Sequence, residues 1–201
     1  MSHNARRAFA AVVPAVAITI ALMLTGQTHG VDERPAEAPA SFTLSSRSTD
    51  TVLEVTFSGG FTTGEITEYR MYGDGRLVKA TRSGSRERAQ EVALSHVEMR
   101  ELIGLLIEGN LMNWLDEETK QRFESTLGGI PSYVDVGRTT ITLSLESYGE
   151  AGPVTKEISY AFPPQVVKLL HPDVALPEID ALDAFWEQMK RHLSQEASNA
   201  S

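Results

Sequence analysis

Residues 69–77 read Tyr69-Arg70-Met71-Tyr72-Gly73-Asp74-Gly75-Arg76-Leu77. The stretch predicts a β-strand, a tight turn and a return strand. Glycine and aspartate tolerate the positive-φ conformations that two-strand turns require. In the incoming strand, period-2 alternation places Tyr69 and Met71 on one face. Arg70, Tyr72 and Glu68 fall on the other. Two tyrosines and two arginines in nine residues are also the densest group of recognition-type side chains in the chain.

Working upstream, 52–58 alternates Leu53, Val55 and Phe57 against Glu54 and Thr56, the pattern of a half-buried strand. Gly59-Gly60 ends it, and 65–72 follows as the incoming strand. Downstream, 76–82 is the return strand through Leu77 and Val78. A polar loop at 83–88 leads to a short fourth strand at 89–94. The pattern Arg138–Tyr148 is the clearest strand, with Ile141, Leu143 and Leu145 facing one way and Thr140, Thr142, Ser144 and Glu146 the other. Val134 and Val136 are out of phase with it, which predicts a bulge near Gly137. A loop at 149–153 returns the chain through Val154, Ile158, Tyr160 and Phe162.

The helices carry punctuation. Ser95-His96-Val97-Glu98 is a capping box, flanked by Leu94 and Met99 at the hydrophobic-staple positions. Gly109 sits where helices end. Asp116 can cap a second helix over about 117–126, with Glu117 and Glu118 in its dipole-favoured first turn. Pro163-Pro164 starts a short helix to Leu170. Pro177 opens the last helix, whose stripe Ile179, Leu182, Trp186, Met189 and Leu193 faces a core. The fold class is therefore α+β: an antiparallel sheet of five to seven strands built from hairpins, with two main helices packed on one face. The other face, with Arg70, Tyr72, Thr140, Thr142 and Glu146, is left to solvent, as antiparallel sheets allow.

The order strand, Tyr-x-x-Tyr-Gly-Asp-Gly, strand, Leu-Ser-x-x-Glu-Met helix and Thr-rich hairpin resembles small exported bacterial domains of unknown function, across about residues 50–195. The resemblance implies this fold and no chemistry.

The N-terminus reads as an address. Arg6 and Arg7 precede an uncharged apolar run at 8–25, and Thr28-His29-Gly30 presents small residues before Val31. That predicts a signal peptide over 1–30 cleaved before Val31. An uncleaved anchor is the alternative, because 18 apolar residues just span a bilayer. Arg6-Arg7-Ala8-Phe9 also fits the core of a twin-arginine signal. A flexible linker is expected at 31–50, one domain at 51–195 and a polar disordered tail at 196–201. With no cysteine, there is neither a disulfide nor a lipid-modified cysteine. Residues 1–30 hold two arginines and no acid, so their removal takes the net charge from −9 to −11. That balance argues against nucleic acid and against an anionic membrane surface as partners.

Catalytic and metal signatures are sparse. His96, His171 and His192 lack metal-ligand spacing and are read as solvated or loop residues. No nucleophile elbow, phosphate loop or dinucleotide fingerprint occurs. Asp116, Glu117 and Glu118 are explained by capping, and Asp135 by alternation. No cofactor and no metal are expected. The charge distribution is more informative: 70–88 holds six cations against two acids, a local +4 in an acidic chain. Arginine forks grip carboxylates and phosphates bidentately. Arg70, Tyr72, Arg76, Arg82 and Arg86 are thus the candidate contacts for an anionic ligand or a partner protein. The function expected is a non-catalytic exported binding module. The alternatives are an exported hydrolase joining Asp135 or Glu118 to a tyrosine, and a membrane-anchored envelope protein.

Overall fold

The alternating segments pair into one antiparallel sheet. The computed structural model describes residues 40–58, 65–132 and 137–199. The 1–30 signal, residues 31–39 of the linker, Val134, Asp135 and Val136 lie outside the described residues. Six strands make the main sheet: β2 (Thr51–Ser58), β3 (Glu65–Tyr72), β4 (Arg76–Ser83), β5 (Arg86–Ala93), β6 (Arg138–Leu145) and β8 (Val154–Tyr160). Their spatial order is β5-β4-β3-β2-β6-β8. Residues 83–88 are not a loop: β4 and β5 run to a tight turn, with Ser83 opposite Arg86.

Two further strands are minimal. β1 (Phe42–Thr43) pairs with β7 (Ser147–Tyr148). The long strand expected over 138–148 therefore breaks at Glu146, whose N–H donates to the Thr43 carbonyl. The linker also ends earlier than expected, since Leu44 and Ser45 are buried and Ser45 Oγ donates to Asp50 at 2.7 Å.

The turn at 73–75 is held from both sides. Gly75 has φ +91°, and an added Cβ would lie 2.1 Å from the Leu94 carbonyl oxygen. Gly73 needs no positive φ. It is glycine because a Cβ there would stand 2.6 Å from the Ser45 and Arg47 carbonyl oxygens. The turn thus pins the 45–50 segment and the entry to the first helix onto the same end of the sheet.

Among the described residues there are four α-helices, α1 (His96–Glu108), α2 (Glu117–Leu127), α3 (Pro164–Leu170) and α4 (Pro177–Asn199), with a 3-10 turn at Leu111–Asn113. The predicted capping box is present: Ser95 Oγ accepts from the Glu98 N–H, and the Glu98 carboxylate accepts from Ser95 N–H at 2.7 Å. Gly109 has φ −77°, so it is not a left-handed cap. It is required because a Cβ would meet the Ala181 Cβ at 2.0 Å, where α1 meets α4. Helix α4 continues to Asn199 through the segment expected as a tail.

Alternation sorts the sheet into two faces. Leu53, Val55, Met71, Leu77, Ile141 and Leu143 point inward and pack with Met99, Leu102, Leu106, Leu182 and Phe185 from α1 and α4. Each such buried aliphatic side chain contributes about 1.5–3 kcal/mol of transfer free energy. The other face carries Glu54, Glu68, Arg70, Thr140 and Thr142, all partly or fully exposed. Among the described residues, no helix is long and apolar enough to cross a membrane.

Candidate functional site

The five residues proposed from the sequence do not converge. Arg70 lies on the outer face, where Nε donates to Glu54 at 2.8 Å and Nη2 to Glu68 at 3.2 Å. Register explains this: Glu54 is directly opposite Arg70 on β2, and Glu68 is two residues along β3 on the same face. Arg76 donates to Asp74 at 2.9 Å and to the Ser48 carbonyl, and lies 4.6 Å over the Tyr72 ring. These contacts raise the Arg76 guanidinium above its ordinary range, the Asp74 hydrogen bond first among the causes, and they hold Asp74 below the ordinary carboxylate range. Arg82 faces Glu87 at 3.6 Å near the other end of β4. Six residues of extended chain, roughly 20 Å, separate Arg76 from Arg82. Arg86 pairs in register with Ser83 and so projects from the inner face, opposite to Arg82.

Of the other titratable groups singled out from the sequence, Asp135 lies outside the described residues, and Asp116, Glu118 and His192 have clear surroundings. Asp116 Oδ1 accepts from Thr119 N–H at 2.7 Å, a helix cap that keeps its carboxyl below the ordinary range. Glu118 is exposed and faces Arg122. His192 departs from expectation: it is buried between α4 and α1, with Nδ1 3.9 Å from Glu98 Oε1. The apolar stripe of α4 is wider than the five residues that define it in the sequence, so His192 falls inside its margin.

The concave feature lies on the inner face, at the end of the sheet beyond the cover of α1. A cleft of about 330 Å³ opens between the ends of β2, β3, β6 and β8, the C-terminal half of α4 and the segment 162–165. Its wall is aromatic. Trp186 stacks within 5.8 Å of both Phe57 and Tyr69, edge-on to Tyr69 and tilted on Phe57. Such pairs favour offset and edge-to-face geometry and rigidify one another. Trp186 Nε1 donates to Tyr160 Oη at 2.7 Å, which fixes both rings. Burial pushes the Tyr160 phenol far above its ordinary value, and Tyr69 upward as well. Tyr160 in turn packs 5.1 Å from Phe162 and 6.3 Å from Trp114, so the wall continues into the core.

The cleft is apolar with a few polar groups at its rim: Tyr69, Thr139, Gln165 and Lys190. Phe57 stays 40% exposed although it belongs to the core-facing parity of β2. A pre-formed apolar hollow with a few convergent polar groups is the usual form of a small-molecule site. No carboxylate or histidine lines it among the described residues. A wider hollow on α1, beside Phe42, Val97 and Glu101, is more open and mixed in polarity. There Arg100 is already occupied, stacking on the Phe42 ring at 4.5 Å and donating to its carbonyl.

Of the lining residues, Phe57, Tyr160, Trp186 and Met189 look like ordinary core positions in the sequence. Alternation and helical period place them correctly on the inner face. Neither pattern says that the helices leave that corner uncovered. Among known proteins, no family model and no curated relative matches this chain.

Proposed function

We propose that this protein is an exported, non-catalytic binding module whose ligand site is the aromatic cleft between α4 and the sheet. The basic, then uncharged apolar start of the chain supports export. The observation that carries the binding reading is Phe57, a large aromatic left exposed on the inner face and framed by Tyr69 and Trp186. Burying such a ring against a ligand yields the apolar contact energy that drives small-molecule affinity. The rigid hydrogen-bonded pair Trp186–Tyr160 lowers the cost of organising the site on binding.

The outer-face arginines are a weaker basis for this reading than the sequence suggests. Arg70 and Arg76 already spend their forks on Glu54, Glu68 and Asp74. A ligand would have to displace these partners.

The test is titration with the neutral fluorophore N-phenyl-1-naphthylamine. Saturable binding is expected, with energy transfer from Trp186, and Phe57→Ala should weaken it about tenfold, or ~1.4 kcal/mol. Absence of saturable binding, or equal affinity in Phe57→Ala, would remove the cleft as the site.

A further inference from the structure

We infer that the cleft's ligand is an anionic amphiphile: its apolar body lies against Phe57, Tyr69 and Trp186, and its single carboxylate, phosphate or sulfonate-like head is held by Lys79 and Arg88. The inference rests on the cleft reading above and extends it to the chemistry of the ligand.

Register provides the argument. On β4 the inward parity is set by buried Leu77, so Lys79 and Thr81 share the inner face. Lys79 is directly opposite Tyr69, a wall residue of the cleft. Adjacent strands lie about 4.8 Å apart, so Lys79 is one strand from the aromatic wall. Arg88 is opposite Thr81, one strand further and two residues nearer the open end. Arg86 continues the same row at the turn. The acids of β5, Glu87 and Glu91, pair with Arg82 and Val78 and alternate to the outer face.

Pairing separates these cations from the rest of the hairpin. Arg70, Arg76 and Arg82 each have an acidic partner within 4 Å. Lys79, Arg86 and Arg88 have no ion pair or side-chain hydrogen bond with any described residue. Gln90, directly opposite Lys79, donates instead to the Leu193 carbonyl of α4, which ties that helix to the sheet beside Lys79. On the cleft's other rim, Lys190 is engaged by Glu187 at 3.0 Å. The inner face therefore runs from an aromatic hollow to a row of uncommitted cations within two strands. A head group there gains charge-assisted hydrogen bonds beside an apolar wall, where screening by water is reduced. A neutral ligand would use only the wall. A multiply charged polyanion would meet a chain whose overall net charge is −9.

The experiment compares two probes on the full chain: 1-anilinonaphthalene-8-sulfonate, and N-phenyl-1-naphthylamine, which has the same rings without the sulfonate. Wild type should prefer the sulfonate. Lys79→Ala/Arg88→Ala should weaken the sulfonate probe about tenfold and leave the neutral probe unchanged, with Lys79→Gln/Arg88→Gln behaving alike and guarding against a packing effect. An unchanged sulfonate-to-neutral ratio in both double variants would overturn the inference while leaving the cleft reading intact. Failure of the neutral probe to sense Phe57→Ala would instead remove the cleft itself.

Discussion

The two faces of the sheet use the same residue types to opposite ends. On the outer face Arg70, Glu54 and Glu68 form a closed set with the guanidinium satisfied at 2.8 and 3.2 Å. On the inner face, one and two strands away, Lys79 and Arg88 have no acidic partner among the described residues, and Lys79 is directly opposite Tyr69, a wall residue of the aromatic hollow. Charge counted along the hairpin treats all six cations alike. Pairing divides them into Arg70, Arg76 and Arg82, each beside an acid, and Lys79, Arg86 and Arg88, which have no such partner among the described residues.

A third arginine sharpens the contrast and carries the largest expected effect. Arg122 on α2 reaches Glu178 in the first turn of α4 at 2.7 Å, and Glu178 is fully buried. Asn110, at φ +61° beyond α1, donates to the same carboxylate oxygen. Removing the cation from a buried pair leaves an uncompensated charge. Arg122→Ala is expected to destabilise the domain by about 3 kcal/mol in urea titration. Glu178→Ala should cost less, because Arg122 can turn to solvent and Glu118. A cost of only a few tenths of a kcal/mol for Arg122→Ala would show that the pair is worth no more than an exposed one.

The double substitution of Lys79 and Arg88 comes next, at about tenfold in sulfonate binding, ~1.4 kcal/mol, with no loss of stability. It breaks the comparison if stability falls and binding does not.

Acid separates fold from site. Glu98 is held below the ordinary carboxylate range, first by the Ser95 side-chain hydrogen bond and then by the Ser95 backbone. A lowered folded-state pKa contributes stability that is present above the unfolded value, about pH 4.3, and is lost as pH falls through the folded one. Ser95→Ala should cost about 1 kcal/mol at pH 7 and flatten the decline of stability below about pH 4. A sulfonate stays ionised throughout that range, so loss of probe binding there tracks unfolding. Loss of binding at a pH where the fold is intact would place a titrating group in the site.

How far the sequence reveals this arrangement depends on which patterns are local. The capping box, the Gly73-Asp74-Gly75 turn and the alternation of Ile141, Leu143 and Leu145 are short-range, and each occurs where expected. The parity of Lys79 is equally local, since it follows from Leu77. The partners of Arg70 are not: Glu54 lies 16 residues away, and only the β2–β3 register brings it opposite. Strand order is also non-local, as β2 sits between β3 and β6. The same holds for Phe57, whose exposure depends on where α4 crosses the sheet. Gly73 and Gly109 illustrate the limit well. Both look like conformational glycines, and both are glycine because another segment's atoms occupy the space of a side chain.

The smallest expected effects belong to the outer face. Arg70→Ala should change stability by only a few tenths of a kcal/mol, as exposed ion pairs do. The central claim, that the inner face binds and the outer face only solubilises, is tested most directly by titrating 1-anilinonaphthalene-8-sulfonate into Lys79→Ala/Arg88→Ala and Arg70→Ala/Arg76→Ala side by side. The account predicts about a tenfold loss of affinity in the first, or ~1.4 kcal/mol, and wild-type affinity in the second. Loss confined to the Arg70/Arg76 variant would contradict it and return the site to the outer face.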